Sequence, residues 1–388
     1  MSRTGPFELL AIDHLLTGEE HDIQATVREW VEQRVKPNIA DWYERGDLDL
    51  DLMREAGDLG LLGMHLEGYG CAGANAVSYG LACLELEAGD SGVRSMVSVQ
   101  GSLAMFAIWR FGSEEQKTTW LPRMATGEAI GCFGLTEADF GSNPAGMRTR
   151  AKRDGDDWVI NGTKMWITNG SVADVAIVWA QTDEGIQGFI VPTDTPGFSA
   201  PKITKKLSLR ASITSELVLE DVHVPRGSVL PEVTGLRGPL SCLNEARFGI
   251  VFGVLGAARD CLETSIDYAN SREVFDRPLA SLQLTQAKLA NMALELQKGF
   301  LLALHLGRLK DDHRLQPEQV SLGKLNNVRE ALAIARECRT ILGANGITLE
   351  YPIMRHANNL ESVLTYEDTS EVHQLVIGQA LTGKSAFT

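Results

Sequence analysis

Glu367 stands in Thr365-Tyr-Glu-Asp-Thr369, a polar run directly before a helical segment. A carboxylate set against a weak carbon acid and stripped of water could serve as a general base, because burial raises its basicity. The commoner role in such a stretch is a solvated or helix-capping acid. Glu87 and Arg94 lie seven residues apart, two helical turns if the segment stays helical, so they could share one face. Arginine keeps its charge when buried, and its fork bonds a carboxylate in bidentate fashion. The ordinary alternative is a surface ion pair. Ser142 follows Gly141, a short hydroxyl after a glycine, suited to close approach by a pyrophosphate or thioester. Trp166 falls in a short apolar run, where a half-buried strand residue is the ordinary reading.

Other patterns carry less chemistry. Gly68, Gly70 and Gly73 match G-x-G-x-x-G. A dinucleotide fingerprint needs a strand before it and βαβ units after it. Helical segments lie on both sides here, so an interhelical loop is expected. The six cysteines have no metal or redox spacing and read as reduced thiols of a cytosolic protein. The eight histidines fall at no metal-ligand spacing, so no metal is expected.

The elements that must position these groups change character twice. From about Leu16 to Ala129 the chain reads as helices. Ile23, Val27, Trp30, Val31 and Val35 form one apolar stripe ended by Pro37, and Ser113 to Gln116 has the form of a capping box. From Gly131 to about Leu230 the runs become short and β-like. Asp154-Gly155, Asn161-Gly162, Asn169-Gly170 and Pro196-Gly197 stand between them as turns. No helical segment intervenes, which predicts an antiparallel β domain. From about Leu243 the chain is helical again. Leu282, Leu289, Met292, Leu296 and Phe300 mark a long helix, and Leu322 to Leu342 another, closed by Gly343.

The 388 residues allow two or three domains at roughly 150 residues each. A net charge of −15 argues against nucleic acid or an anionic membrane as the main partner. No apolar run approaches the roughly 18 residues that span a bilayer. The acidic, amphipathic N-terminus reads as neither a signal nor a transit peptide. A cytoplasmic location is the expectation.

Phe133-Gly-Leu-Thr-Glu137, Gly141-Ser142 and Lys164-Met-Trp-Ile-Thr-Asn169 together resemble the flavin platform of the acyl-CoA dehydrogenase family. Arg272-Glu-Val-Phe275 with Pro278, then Gln283, Gly343-Ala-Asn-Gly-Ile347 and Thr365-Tyr-Glu-Asp-Thr369 follow in the family's order and spacing. The resemblance covers nearly the whole chain and implies an α+β fold. Its parts would be an N-terminal helical domain over 1–130, a middle antiparallel β domain over 131–240 and a C-terminal four-helix bundle over 241–388. It also implies a homotetramer with one FAD per subunit, an acyl-CoA substrate and electron-transferring flavoprotein as acceptor.

The resemblance assigns Glu367 as the base for the substrate's α-proton. A second family position for the base precedes Arg247 and is Ala246 here, which cannot serve. The flavin would rest on Phe133, Leu135, Thr136, Gly141, Ser142, Trp166, Ile167 and Thr168, with Thr369 and Glu371 at the cofactor site. Backbone N–H groups there would favour charge developing on the reduced ring. Arg272, Phe275, Gln283, Gly343, Ala344, Asn345 and Gly346 belong to the part that would reach a neighbouring subunit's dinucleotide.

Within the family the chain is similar to the members that act on glutaryl-CoA. Leu84-Glu-Leu-Glu87, Asp90-Ser-Gly-Val-Arg-Ser95, Ser98-Val-Gln100, Leu243-Asn-Glu-Ala-Arg247 and Arg355-His-Ala-Asn-Asn-Leu-Glu361 carry that likeness. It implies that Arg94 binds the distal carboxylate, with Glu87, Ser95, Thr168 and Tyr366 around it. Ser98, Ser142, Leu243, Asn244, Arg247 and Asp368 would complete the substrate site. Oxidation would give glutaconyl-CoA, and loss of CO2 followed by reprotonation from Glu367 would give crotonyl-CoA. Non-decarboxylating relatives tend to lack the tyrosine, so Tyr366 favours decarboxylation. Asp368, Asp276 and Ala344 replace glycines of the commoner pattern, and Asp368 is expected either to raise the pKa of Glu367 or to crowd the thioester. The alternatives are an acyl-CoA dehydrogenase for another short, branched or carboxylated acyl group, or a flavin-free acyl-CoA-binding protein.

Overall fold

A computed structural model describes residues 4–387. Its first part is helical: α1 (Gly18–Trp30), α2 (Ile39–Arg45), α3 (Asp51–Asp58), α4 (Ala76–Gly89), α5 (Ser91–Ser98), α6 (Phe106–Phe111) and α7 (Glu114–Ala125). The predicted stripe is present: Val27, Val31 and Val35 are buried, the last two in a π-helical turn that extends α1. The expected capping box starts α7, with Ser113 accepting from Gln116 N and Gln116 accepting from Ser113 N. Gly68, Gly70 and Gly73 all take positive φ in the loop between α3 and α4, with no strand before them. Every residue of α4 is buried, Glu85 and Glu87 included, so this helix is a core element with no solvent face.

The middle part is a seven-stranded sheet. Its strands are β1 (Gly131–Gly134), β2 (Arg150–Asp154), β3 (Asp157–Thr168), β4 (Val175–Thr182), β5 (Gly185–Pro192), β6 (Phe198–Ser199) and β7 (Thr214–Val224). The order is β1-β4-β2-β3-β7-β6, with β5 paired to β4. Two expectations need correction. The sheet is not wholly antiparallel, because β1 runs parallel to β4. A parallel pair needs a long crossover, and the β2–β3 hairpin supplies it in place of a helix. Asn161-Gly162 is not a turn either. β3 continues through it against the long β7, absorbing it as a register shift. A second shift between Lys164 and Ile167 bulges the strand at Trp166.

The third part holds α8 (Arg237–Ser271), the short β8 (Glu273–Val274) and β9 (Arg277–Pro278), α9 (Gln283–Asp311), α10 (Pro317–Leu342), α11 (Ile353–Val363) and α12 (Ser370–Thr382). α8 begins six residues before the expected Leu243, and α10 five before Leu322. By length and composition α8 could cross a membrane, yet it is the buried central helix of this part. It packs on α4, α9, α10 and α11, so the bundle shares its core with the first helical part. Gly256 makes that contact tight, since a Cβ there would overlap the carbonyl of Leu84. The α11–α12 loop, which carries Glu367, lies against α8 and α10.

Candidate active site

The Glu87–Arg94 pair is buried, not superficial. Arg94 is 1% exposed and Glu87 0%. Arg94 Nε donates to Glu87 Oε2 at 2.8 Å, and Ser91 Oγ donates to Glu87 Oε1 at 2.8 Å. The two do not share one helix, as the spacing suggested. α4 ends at Gly89, and Asp90 is extended (φ −168°, ψ 144°) before α5 begins. Asp90 caps α5 by accepting from Gly92 N, and it is pinned by Arg355 at 2.5 Å and Asn359 at 2.8 Å from α11. The pair therefore meets across a held break between helices. Gly253 on α8 leaves the room, because a Cβ there would overlap Glu87 Oε2.

Arg94 Nη2 donates to the Tyr366 hydroxyl, which lies 3.5 Å from Ser95 Oγ. No protein acceptor among the described residues meets Arg94 Nη1. Burial opposes the charge, but Tyr366, Glu87 and Glu367 hold the guanidinium above its ordinary value. A buried ion pair is poor evidence of a gain in stability. Its unspent donor, next to a candidate base, points to a ligand carboxylate.

Glu367 follows Tyr366 directly. Its Oε2 is enclosed and has no hydrogen-bond partner. Burial pushes its pKa above the usual carboxylate value, Arg94, Lys324 and Arg247 pull it back, and Asp368 adds to the rise. Glu367 and Asp368 both have left-handed backbone, at φ +50° and +78°. Asp368 does not crowd its neighbour, because its carboxylate turns to Arg247, with Oδ2 2.5 Å from Nη2. Arg247 also donates to the Glu367 carbonyl at 3.3 Å and to Asn244 Oδ1 at 2.7 Å. These donors are spent on the base loop. Ser98 Oγ is buried without a partner, and Leu243 is half-buried.

Lys324 belongs to none of the motifs quoted above, yet it lies at the base loop. It is 1% exposed on α10, and its Nζ donates to the carbonyls of Tyr366, Glu367 (2.9 Å) and Asp368 (2.7 Å). Burial pushes this ammonium down to about 7, against Glu367 and Asp368. A signal existed: Lys324 sits one helical turn from buried Val320 and buried Val328, on the apolar face of α10.

The β domain carries the expected flavin-platform residues. Met165 N donates to the Thr136 carbonyl at 2.9 Å, tying β3 to the end of β1. Trp166 projects from the bulge at φ +65° and is 59% exposed. A bulky aromatic in that conformation is strained, and its open face fits a flat ring system such as a flavin. Phe133, Leu135 and Ile167 are buried beneath, and Thr136 and Thr168 are half-buried. Beneath Thr136, Lys164 donates to the Leu135 carbonyl at 3.1 Å and Glu137 Oε1 at 2.9 Å. Glu137 in turn accepts from the backbone of Arg148 and Thr149. This buried pair, from the two ends of the quoted motifs, ties β1 to β3.

The remaining predicted cofactor residues stand apart within one chain. Gly141 and Ser142 are exposed. Arg272, Phe275, Gln283, Gly343, Ala344 and Asn345 are exposed where α8 ends, α9 begins and α10 ends, while Gly346 is buried. Asn345 bonds Tyr268 of α8 at 3.1 Å. Thr369 caps α12 by accepting from Val372 N, with Glu371 in the first turn.

The chain is similar to known proteins over most of its length. The acyl-CoA dehydrogenase N-terminal, middle and C-terminal domain families match residues 17–128, 132–222 and 234–382 in that order. The short-chain specific acyl-CoA dehydrogenase, mitochondrial, of Homo sapiens is 37% identical over 359 residues, covering 91% of this chain and 87% of that protein. A glutaryl-CoA dehydrogenase from Mycobacterium smegmatis, solved in complex with FADH2, is 70% identical with a TM-score of 0.99 over 100% of both chains. Butyryl-CoA dehydrogenase from Megasphaera elsdenii gives a TM-score of 0.91 at 33% identity, covering 94% of this chain and 98% of that one.

Proposed function

The chain belongs to the acyl-CoA dehydrogenase family, and on that premise we propose that it uses FAD to convert glutaryl-CoA to crotonyl-CoA and CO2. The observation that carries the substrate choice is Arg94, a buried guanidinium with an unspent donor beside the enclosed carboxylate of Glu367. A fatty tail would face that charge with nothing to pair it. A tail ending in a carboxylate answers it in bidentate fashion. The likeness to a glutaryl-CoA dehydrogenase at 70% identity supports the same choice.

Phe133 to Thr136 and Trp166 to Thr168 would hold the flavin ring. When bound, FAD supplies the acceptor for the β-hydride. Glu367 takes the α-proton, and its desolvated oxygen makes it a stronger base than a solvated glutamate. Loss of these two hydrogens gives glutaconyl-CoA. The bond from the γ-carbon to the carboxylate is then allylic to the new double bond, which connects it to the thioester. That bond breaks, the electron pair moves into the thioester as a dienolate, and CO2 leaves. Glu367, now a carboxylic acid, returns its proton to the terminal carbon and yields crotonyl-CoA. Arg94 keeps the tail aligned, and Tyr366 links Arg94 to the base loop.

Exposed Phe275 (89%), Leu284 (80%) and Ile347 (63%) support a homotetramer in which Arg272, Gln283 and 343–346 meet a neighbour's dinucleotide. Electron-transferring flavoprotein is the proposed acceptor. The test is anaerobic mixing of the flavin-loaded protein with glutaryl-CoA and with butyryl-CoA. Glutaryl-CoA should bleach the flavin faster and yield crotonyl-CoA. Faster bleaching by butyryl-CoA, or accumulation of glutaconyl-CoA, would favour a non-decarboxylating enzyme for another short acyl group.

A further inference from the structure

Two consecutive residues with side chains, Glu367 and Asp368, hold positive φ in the loop that carries the base. Such residues stay in that region only when their surroundings hold them there. Three successive carbonyls, those of Tyr366, Glu367 and Asp368, converge on the Lys324 ammonium. They meet at one point because the chain curls around it. An ammonium has three N–H donors, and here all three go to backbone. None is left for the Glu367 carboxylate, so Lys324 acts on the base through the main chain.

We propose that Lys324 is a positioning residue, whose charge at the centre of this curl sets the direction in which Glu367 points and thereby the rate of α-proton transfer. Arg247 is a second clasp from α8, on the Glu367 carbonyl and the Asp368 carboxylate. A lysine is a costly choice for stability alone at this place, since Val320 and Val328 on the same face of α10 are buried apolar residues. Burial also disfavours its charge. The loop supplies what the charge needs, and the charge supplies the curl.

This inference rests on Glu367 as the α-proton base, and its test separates the two. The flavin-loaded full chain is assayed with glutaryl-CoA as Lys324→Met and as Glu367→Gln. Misplacing a catalytic group by about 1 Å costs about 100-fold, so Lys324→Met should lower kcat by about that factor, with KM changed less than about threefold. A wild-type kcat in Lys324→Met, or a loss confined to KM, would overturn the proposal. If Glu367→Gln remains active, the base assignment has failed instead. Should methionine prevent flavin loading, Lys324→Gln keeps two N–H donors and should lose about tenfold in kcat; a wild-type value there would equally overturn it.

Discussion

Replacing Arg94 by methionine removes a buried charge and keeps an unbranched side chain. The effect on glutaryl-CoA can be worked from the site. Arg94 spends Nε on Glu87 at 2.8 Å and Nη2 on Tyr366, and it is 1% exposed. A carboxylate tail bound there is desolvated, and removing its buried partner costs about 3–5 kcal/mol. At about 1.36 kcal/mol per decade, kcat/KM for glutaryl-CoA should fall about 150- to 5,000-fold. Butyryl-CoA ends in a methyl group and forfeits no such bond. Its loss should come from disturbance of the pocket alone, about tenfold or less. One disturbance is identifiable: Glu87, 0% exposed, would keep only Ser91 at 2.8 Å. Adding Glu87→Gln removes that orphan charge without returning the carboxylate site. The assay is initial rate against both thioesters with an artificial acceptor, for wild type, Arg94→Met and the double variant. Equal losses on the two substrates would refute the carboxylate role.

Gly253→Ala places a Cβ on Glu87 Oε2, so it should displace the ion pair, lower stability by about 1–3 kcal/mol and reduce activity on glutaryl-CoA more than on butyryl-CoA; an unchanged substrate ratio would contradict this. Asp368→Asn removes a carboxylate that adds to the burial-driven rise of the Glu367 pKa and frees Arg247 to lower it further. The base must be ionised, so the acid limb of kcat/KM should move to lower pH, and an unmoved limb would count against Glu367. Glu85 tests stability: burial alone would raise its carboxyl, but Arg259 and Arg28 hold it at about 2 against an ordinary 4.5. A depressed carboxyl stabilises the fold above its unfolded value and loses that contribution as pH falls through the folded one, here up to about 3 kcal/mol. Urea unfolding of Glu85→Gln should therefore vary less than wild type between pH 4.5 and 2, and an equally steep dependence would be the contrary result.

Elements with local causes were legible in sequence. Ser113 and Gln116 start α7 through their own side chains, and Asp154-Gly155 turns β2 into β3. Features set by distant partners were not. Asn161-Gly162 reads as a turn until β7 draws the strand through it. The parallel β1–β4 pair depends on where a later strand comes to lie. The spacing puts Glu87 and Arg94 on one helical face only if the helix runs unbroken; they meet instead through a break that Asp90 and α11 hold. Asp368 looked like a hazard because its partner, Arg247, comes from another helix. Lys324 went unread because it binds backbone carbonyls 42 to 44 residues away, and carbonyls leave no mark on residue type.

A single anaerobic turnover with glutaryl-CoA labelled in its distal carboxylate joins Arg94, Tyr366 and Glu367 in one number. Oxidation followed by decarboxylation predicts one labelled CO2 released for each flavin reduced, with crotonyl-CoA as product. Flavin bleached with the label retained in glutaconyl-CoA would contradict it.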